Sequence, residues 1–206
     1  MFIVLEGIDG SGKTTQCGKL ADFLSERFGR SSVMRTFEPG DWEGGGALRD
    51  LSLNGGFEDR WSRFFLFMAD RCEHLTRVIL PALREGRVVI CDRYTASTMA
   101  YQVFSDPGIP KKTAEFVSRL PGYLGMPVPD AVLLLDIDVD TAEARLAARG
   151  KRDFFETMGR DYFERVRSGY LRQMESAAGG RWMRIDASGA PEDVFKRIAG
   201  AALELF

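Results

Sequence analysis

The fold is decided by the stretch Gly7-Ile8-Asp9-Gly10-Ser11-Gly12-Lys13-Thr14, which follows directly on the apolar run Phe2–Glu6. Its glycines keep side chains out of a tight loop, so consecutive backbone N–H groups can surround a chain of phosphates. A helix that begins at Lys13 would point the positive end of its dipole at the same phosphates. Because strand, loop and helix agree, the stretch predicts a phosphate-binding P-loop rather than a glycine-rich turn that binds nothing.

Side chains in this loop predict a nucleoside triphosphate and Mg²⁺ as its ligands. Lys13 adds a positive charge for the β- and γ-phosphates, and the Thr14 hydroxyl is placed to ligate Mg²⁺. The residues predicted to bind the nucleotide are Gly7, Ile8, Asp9, Gly10, Ser11, Gly12, Lys13, Thr14, Thr15 and, from a later helix, Arg145.

Over the rest of the chain, short apolar runs alternate with longer amphipathic segments, which is typical of an α/β fold with a parallel sheet. The predicted strands are Phe2–Glu6, Val33–Phe37, Val88–Cys91, Ala131–Ile137 and Trp182–Ile185. The predicted helices are Lys13–Phe28, Glu58–Glu85, Thr141–Arg149, Asp153–Ala178 and Glu192–Leu205. We expect a three-layer α/β P-loop kinase fold with a five-stranded parallel sheet flanked by helices, in one domain over residues 1–206 with a lid at about residues 145–156.

Three local features refine this outline. Pro81 should kink the long helix Glu58–Glu85, because proline cannot donate the helical hydrogen bond. Asp140, with Glu143 three residues later, is a candidate capping box for the helix Thr141–Arg149. The stretch 40–46 holds four glycines and is expected to be a loop.

Composition argues against several classes of protein. With a net charge of −2 over 206 residues, the chain lacks the basic balance of a nucleic-acid-binding protein. Three cysteines without CxxC spacing suit free thiols in a reducing compartment better than disulfides. No apolar stretch approaches the roughly 20 residues of a membrane span, and the amino terminus shows no signal-peptide pattern. We therefore expect a cytoplasmic protein with neither nucleic-acid nor membrane partners.

Two sequence features separate kinases from other P-loop proteins. A guanine-specific switch needs an Asn-Lys-x-Asp loop, yet the single asparagine of the chain, Asn54, lies in Leu-Asn-Gly-Gly. A mechanical ATPase usually carries a glutamate directly after an acidic strand end, whereas here Arg93 follows Asp92 and Ile137 follows Asp136. A compact kinase that acts on a small molecule fits the sequence better.

The end of the strand Val88–Cys91 predicts the acceptor side of the site, because ligands of open parallel sheets bind at the carboxyl ends of the strands. Arg93 is positioned to hold a phosphate. Asp92 could ligate Mg²⁺ or orient Arg93, unless the two form only a structural pair that closes the strand. The helix that follows offers a polar face for a sugar and a base. Its candidate contacts are Ser97, Thr98, Tyr101 and Gln102.

An earlier helical segment predicts a site for a base. Phe67 and Arg71 lie four residues apart on one helical face, where a ring offers a stacking surface and a guanidinium can reach a base-edge carbonyl. Phe67 could equally belong to the core, as aromatic residues at helical spacing usually do. His74, the single histidine, is interpreted as a structural or surface residue.

A basic run near Gly150 predicts a lid over the transferring phosphate. Arg145 and Arg149 share one helical face, and Lys151 and Arg152 follow the glycine. Such a run is usually a solvated face. Phosphoryl transfer, however, needs cations that close over the transferring group, and we favour this functional interpretation.

Taken together, these motifs resemble those of the thymidylate kinase family, in the same order over nearly the whole chain. The stretch from Asp92 to Gln102 is the most family-specific, whereas the P-loop occurs in many enzymes. The segments that carry the resemblance are residues 5–16, 37–40, 66–71, 92–102, 129–130, 133–137 and 185–187.

The resemblance implies transfer of the γ-phosphate of ATP to dTMP, which gives dTDP and ADP, with dUMP or another nucleoside monophosphate as the alternative acceptor. It implies that Phe67 stacks on thymine, Arg71 bonds the base edge and Arg93 holds the dTMP phosphate. Tyr101 would exclude a 2′-hydroxyl, and Asp9 would reach the 3′-hydroxyl or the metal.

The resemblance also implies three sets of site residues. The implied catalytic residues are Lys13, Arg93, Asp9, Arg149 and Arg152, and the implied metal ligands are Thr14 and Asp92. The implied substrate-binding residues are Glu38, Phe67, Arg71, Arg93, Ser97, Thr98, Tyr101 and Gln102. Relatives are commonly homodimers, so a homodimer is expected.

The chain also departs from the family pattern. Phe37 stands where many relatives have an arginine before Glu-Pro, and Phe154 stands where the lid often has an arginine after Asp153. The P-loop positions Gly10 and Ser11 lack the arginine that some relatives place there. The closing cation is therefore expected from Arg149 or Arg152. A non-catalytic nucleotide-binding module remains the alternative from another class.

Overall fold

A single parallel sheet organises the computed structural model, which describes residues 1–150 and 153–206. Its five strands are adjacent in the order β2-β3-β1-β4-β5. Their bounds are β1 Phe2–Glu6, β2 Val33–Phe37, β3 Val88–Asp92, β4 Ala131–Asp136 and β5 Trp182–Asp186. All four pairings are parallel, which confirms the predicted sheet. The lid residues Lys151 and Arg152 lie outside the described residues, so their predicted role is not tested.

Helices cover both faces of the sheet, and the sheet's apolar residues are divided between two clusters. Ile3 and Leu5 of β1 point to one cluster, whereas Phe2 and Val4 point to the other. This alternation follows from the geometry of a strand, in which successive side chains face opposite sides. The central strands β1, β3 and β4 are buried along their whole length, as expected for strands covered on both faces. The three-layer fold is thus confirmed.

Nine α-helices connect the strands within the described residues. They are α1 Lys13–Phe28, α2 Gly45–Asn54, α3 Arg60–His74, α4 Leu80–Arg84, α5 Thr95–Thr98, α6 Lys111–Tyr123, α7 Val139–Arg149, α8 Arg160–Glu175 and α9 Pro191–Leu203. Short 3₁₀ turns occupy Arg30–Ser32 and Phe155–Thr157, and π-helical turns occupy Leu75–Ile79 and Met99–Phe104. None of these helices is both long and apolar enough to cross a membrane.

The long predicted helix Glu58–Glu85 is built from three consecutive pieces. It begins at Arg60, and the Asp59 side chain caps it by accepting hydrogen bonds from the backbone N–H groups of Trp61 at 2.8 Å and Ser62 at 3.2 Å. The π-helical turn Leu75–Ile79 then leads directly into α4. Since Pro81 has no N–H to donate, this wider turn is where the helix accommodates it.

The predicted starts of α7 and α8 are wrong. Helix α7 begins at Val139 and is capped by Asp138, whose carboxylate accepts from the Thr141 N–H at 2.7 Å; Asp140 instead forms an ion pair with Arg160. The predicted helix Asp153–Ala178 begins only at Arg160, after Gly159 with a φ of 81°. Before that glycine, residues Phe155–Thr157 form a short 3₁₀ turn.

The structure also contains helices that the sequence pattern did not indicate. Helix α2 begins inside the predicted 40–46 loop, and α6 lies in a segment without any prediction. The last turn of α2 is held from outside, because the guanidinium of Arg63 donates to the carbonyl oxygens of Ser52 and Gly55. Tertiary contacts therefore stabilise a helix that begins with two glycines, Gly45 and Gly46.

Candidate active site

The P-loop leaves β1 between the carboxyl ends of β3 and β4, which pair with β1 on either side. Gly7 and Gly10 have φ angles of 147° and 83°, a region that favours glycine. A Cβ on Gly7 would lie 2.5 Å from the Leu135 carbonyl oxygen, and one on Gly10 would lie 2.6 Å from the Ala142 carbonyl oxygen. Both glycines are therefore required by backbone conformation and by close packing, as the motif predicts.

Lys13 lies folded against the loop that it serves. Its Nζ donates to the Ile8 carbonyl oxygen at 2.9 Å and contacts the Ser11 hydroxyl oxygen at 3.3 Å. Burial and the nearby Arg93 charge lower the pKa of Lys13 to about 8. A phosphate chain in the loop would give this buried cation the negative partner that it needs.

Thr14 and Asp92 form the candidate metal site. The Thr14 hydroxyl donates to Asp92 Oδ2 at 2.7 Å. The other carboxylate oxygen, Oδ1, is buried and has no hydrogen-bond partner among the described residues. A hydroxyl and a carboxylate with a spare buried oxygen are hard oxygen ligands of the kind that Mg²⁺ prefers, so the residues present fit this ion.

Arg93 follows Asp92 in the chain, and the carboxylate with which its guanidinium forms an ion pair is that of Asp9. The Arg93 φ of 72° is unusual for a residue with a side chain and persists only where the surroundings hold it. One guanidinium nitrogen, Nη2, forms an ion pair with Asp9. Burial alone would raise the pKa of Asp9, but the charges of Arg93 and Lys13 lower it below its ordinary value. An ionised Asp9 thus fixes the arginine at the base of the site.

Tyr101 contacts both members of the Asp9–Arg93 ion pair. Its hydroxyl donates to Asp9 Oδ2 at 2.8 Å and accepts from the Asp9 N–H at 2.9 Å. The Arg93 guanidinium lies over the Tyr101 ring, 4.9 Å from its centre. The three predicted site residues Asp9, Arg93 and Tyr101 therefore act as one hydrogen-bonded unit.

A second buried ion pair lies on the acceptor side. Arg71 donates to Glu38 at 2.7 Å, to the Thr98 hydroxyl at 2.8 Å and to the Tyr94 carbonyl oxygen at 3.0 Å. The Glu38 carboxylate also contacts the ring of His74 at 3.1 Å. His74 is completely buried, in agreement with its structural interpretation. Glu38, predicted to bind substrate, thus holds the arginine that faces the cavity.

These groups line one cavity of about 740 Å³, which extends from the P-loop to α3. Gln102 lies on its wall, and its Oε1 is buried without a partner in the described residues, which leaves an acceptor for a ligand. The predicted site residues that line the cavity are Asp9, Gly10, Gly12, Lys13, Thr14, Thr15, Glu38, Phe67, Arg71, Asp92, Arg93, Ser97, Thr98, Tyr101, Gln102, Arg145 and Arg149. Gly7, Ile8 and Ser11 are not among the lining residues.

The two described lid arginines have different partners. Arg145 donates at 3.2 Å to the carbonyl oxygen of Gly10 and, at the same distance, to those of Ala187 and Gly189. It therefore ties the P-loop to the β5–α9 connection. Arg149, at the end of α7, forms an ion pair with Glu156 and lies on the cavity wall.

Phe154, which departs from the family pattern, has a structural role. Its ring lies under the guanidinium of Arg63, 4.0 Å from the ring centre, and its N–H donates to the Leu53 carbonyl oxygen at 3.2 Å. The adjacent Phe155 is buried and its ring lies 6.0 Å from that of Phe67. The base of the lid is thus attached to the acceptor-side helices by aromatic contacts.

Sequence reasoning missed several residues of this site, including Arg49, Leu53 and Glu156 on the cavity wall. Phe155 lines the cavity, while Glu6 and Tyr170 lie behind Arg93. A glutamate at the end of a buried apolar strand was a signal for Glu6. Tyr170 is 77 residues from Arg93 in the chain, and no local pattern points to it.

Comparison with known proteins agrees with this geometry. The family model described as thymidylate kinase matches residues 5–198. A thymidylate kinase of Pelotomaculum thermopropionicum is 42% identical over 207 residues, covering 99% of this chain and 93% of that protein. One from Solidesulfovibrio magneticus is 38% identical, with 100% of each chain covered.

A solved structure extends the likeness to three dimensions. The crystal structure of thymidylate kinase from Ehrlichia chaffeensis superposes with a TM-score of 0.77 at 30% identity, and 98% of each chain is covered. The sequence match, the superposition and the site geometry lead to one conclusion. The chain belongs to the thymidylate kinase family.

Proposed function

We propose that this protein transfers the γ-phosphate of ATP to dTMP and releases ADP and dTDP. The observation that carries the proposal is the shared cavity. It has a P-loop at one end, the Phe67–Arg71 face at the other, and Arg93 between them. A site of this shape can bring two phosphate-bearing ligands together with their reacting groups in line.

The nucleotide end supplies the charge that ATP needs. Backbone N–H groups of the P-loop surround the β- and γ-phosphates, and Lys13 exchanges its present carbonyl and hydroxyl partners for phosphate oxygens. Arg145 keeps the loop in place through the Gly10 carbonyl oxygen. This end of the cavity is expected to bind ATP even when no acceptor is present.

The acceptor end supplies groups that suit a pyrimidine nucleotide. Phe67 offers a ring for stacking, and the guanidinium of Arg71, already fixed by Glu38, faces the same space. The unpartnered Gln102 Oε1 can accept from the base N–H. Arg93 holds the acceptor phosphate, and Tyr101, fixed by Asp9, limits the room beside the sugar.

Little covalent chemistry is required of the protein, since the attacking group is an anionic phosphate oxygen. Catalysis then consists of alignment and of stabilising the charge that spreads over the transferring group. Lys13 and Arg93 lie at the cavity base, and Arg149, with Arg152, is proposed to close over it from the lid. Because the P-loop lacks its own arginine, these lid cations carry that task.

We further propose that Mg²⁺ binds between Thr14 and Asp92. The fit rests on the spare buried Oδ1 of Asp92 beside the Thr14 hydroxyl. The ion would neutralise the negative charge of the β- and γ-phosphates. Thr14 and Asp92 both line the cavity, and their side-chain oxygens already lie 2.7 Å apart.

We propose that the whole chain forms one domain. The sheet takes strands from residue 2 to residue 186, which supports one kinase domain with a lid over residues 145–156.

Helices α3 and α6 share one core cluster through Phe64 and Val117, and each also exposes a phenylalanine, Phe65 at 64% and Phe116 at 60%. We propose a homodimer that covers these rings. The three cysteines are free, which suits the reducing cytoplasm in which we place the protein.

A panel of acceptors tests the proposed activity. ADP release is measured in a coupled assay with ATP and Mg²⁺, with dTMP, dUMP, UMP, CMP or no acceptor. We expect release that depends on the acceptor and is fastest with dTMP. Faster turnover of dUMP, UMP or CMP than of dTMP would mean that dTMP is not the preferred acceptor. ATP binding without acceptor-dependent turnover would contradict the proposed kinase activity.

A further inference from the structure

Arg93 has two guanidinium edges with different surroundings. On one edge, Nη2 meets the carboxylate of Asp9. On the other edge, the partners of Nη1 among the described residues are uncharged oxygens: the Gly7 carbonyl at 3.3 Å, the Ser97 hydroxyl at 3.1 Å and the Tyr170 hydroxyl at 3.3 Å. The two hydroxyls must accept from Arg93, because a guanidinium can only donate.

A buried carboxylate lies behind these hydroxyls. Glu6 is completely buried, and its Oε1 accepts from the backbone N–H groups of Tyr94 at 2.8 Å and Ser97 at 3.1 Å. Its Oε2 lies 2.6 Å from the Ser97 hydroxyl and 3.0 Å from the Tyr170 hydroxyl. Glu6 is thus surrounded by hydrogen-bond donors.

Counting protons gives the direction of this network. Ser97 and Tyr170 have one hydroxyl proton each, and their oxygens lie 2.8 Å apart. With Glu6 ionised, either both protons go to Glu6, or one goes to Glu6 and the other bridges the two hydroxyls. In each arrangement the chain of donors ends on Glu6, and oxygen lone pairs remain for Arg93.

We propose that Glu6 and Tyr170 are positioning residues that aim the Arg93 guanidinium at the acceptor phosphate. Glu6 turns the hydroxyl protons away from Arg93, and Tyr170, from helix α8, closes the network on the side remote from Asp9. This inference rests on the proposed function, because it assigns to Arg93 the acceptor phosphate. It extends the site to two side chains that do not line the cavity.

Two variants test the network. Tyr170→Phe keeps the ring and removes the hydroxyl, so we expect kcat/KM for dTMP to fall about tenfold through misplacement of Arg93, with KM for ATP unchanged. Glu6→Gln should have the larger effect, about 100-fold, because its amide would donate to the hydroxyls and turn their protons toward Arg93. The order of the two effects is itself a prediction.

Tyr162→Phe is the matched control. Tyr162 lies on the same helix, is also buried, and donates one hydrogen bond, to the Tyr101 carbonyl oxygen at 2.7 Å. We expect this variant to lose stability comparably while kcat/KM for dTMP stays unchanged. If Tyr170→Phe gave the same kcat/KM for dTMP and the same KM for ATP as Tyr162→Phe, Tyr170 would be merely structural and the inference would be overturned.

These experiments distinguish a failure of this inference from a failure of the proposed function. If the wild-type protein released no ADP with dTMP, the proposed acceptor would fail, and the same kcat/KM comparison would use the monophosphate that the panel identifies. If Glu6→Gln did not fold by circular dichroism, Tyr170→Phe would decide the outcome alone. A selective fall in kcat/KM for the acceptor, with KM for ATP unchanged, supports the inference in either case.

Discussion

Asp92 and Asp136 are the last residues of the two strands that flank β1, although Asp92 is level with Leu5 and Asp136 lies two residues beyond Leu134, the partner of Glu6. Their exposures are nearly equal, at 7% and 8%. Their partners differ. Asp92 accepts one hydroxyl hydrogen bond, from Thr14, and keeps a buried oxygen without a partner in the described residues. Asp136 accepts from Arg167 at 2.7 and 3.1 Å and from Arg184 at 3.0 and 2.6 Å.

The difference shows that burial at a strand end does not by itself mark a carboxylate as a candidate ligand. What distinguishes the two carboxylates is the capacity left for a ligand. Asp136 is saturated by two arginines from α8 and β5, so it ties three elements together. Asp92 has an oxygen to spare and a hydroxyl beside it, which is the arrangement a metal ion needs.

The largest expected effect comes from removing the charge of Asp92. In Asp92→Asn the amide oxygen can still accept from the Thr14 hydroxyl, so the melting temperature should hardly change. Loss of the anionic ligand should lower kcat about 100-fold or more, because the charge of the transferring group is less well neutralised. ADP release with dTMP, measured across a Mg²⁺ titration, checks this. Wild-type turnover at every Mg²⁺ concentration would rule out Asp92 as a metal ligand.

Asp136→Asn should show the opposite profile. The substitution leaves Arg167 and Arg184 without their anion, but Arg184 is 54% exposed and regains water. We therefore expect the free energy of unfolding to fall by about 1–2 kcal/mol, with kcat nearly unchanged. Urea unfolding, beside the same assay, measures both. A loss of turnover as large as that of Asp92→Asn would mean that the two carboxylates share a function.

The sequence predicted well what local chemistry decides. The P-loop needs its glycines for conformation and for close packing, and the strands need continuous apolar residues, so both could be located from neighbouring residues alone. The same holds for α1, which begins at Lys13 and ends at Phe28 as expected. The contributions of Phe67 and Arg71 to the cavity wall followed from helical spacing.

What the sequence could not supply depends on contacts between distant segments. Whether Asp138 or Asp140 caps α7 depends on where the helix begins, and a shift of two residues changes the answer. Helix α2 is held by Arg63, and Arg93 is paired with Asp9 across 84 residues. Tyr170 likewise reaches Glu6 only after α8 packs on the sheet. Such pairings leave no local pattern to read.

The smallest effect is the pH dependence of the Asp136 contribution. Burial alone would raise the pKa of Asp136, but hydrogen bonds and charges from Arg167 and Arg184 lower it below its ordinary value. A depressed folded-state pKa stabilises the fold above the unfolded value of about 3.9, and this stabilisation is lost as the pH falls through the folded value. Since asparagine does not titrate, the stability gap between the wild type and Asp136→Asn should be constant from about pH 7 to about pH 5 and should narrow below about pH 4. Urea unfolding of both proteins over this range measures the gap, and a gap that stayed level or widened in acid would show that the two arginines do not hold an ionised Asp136.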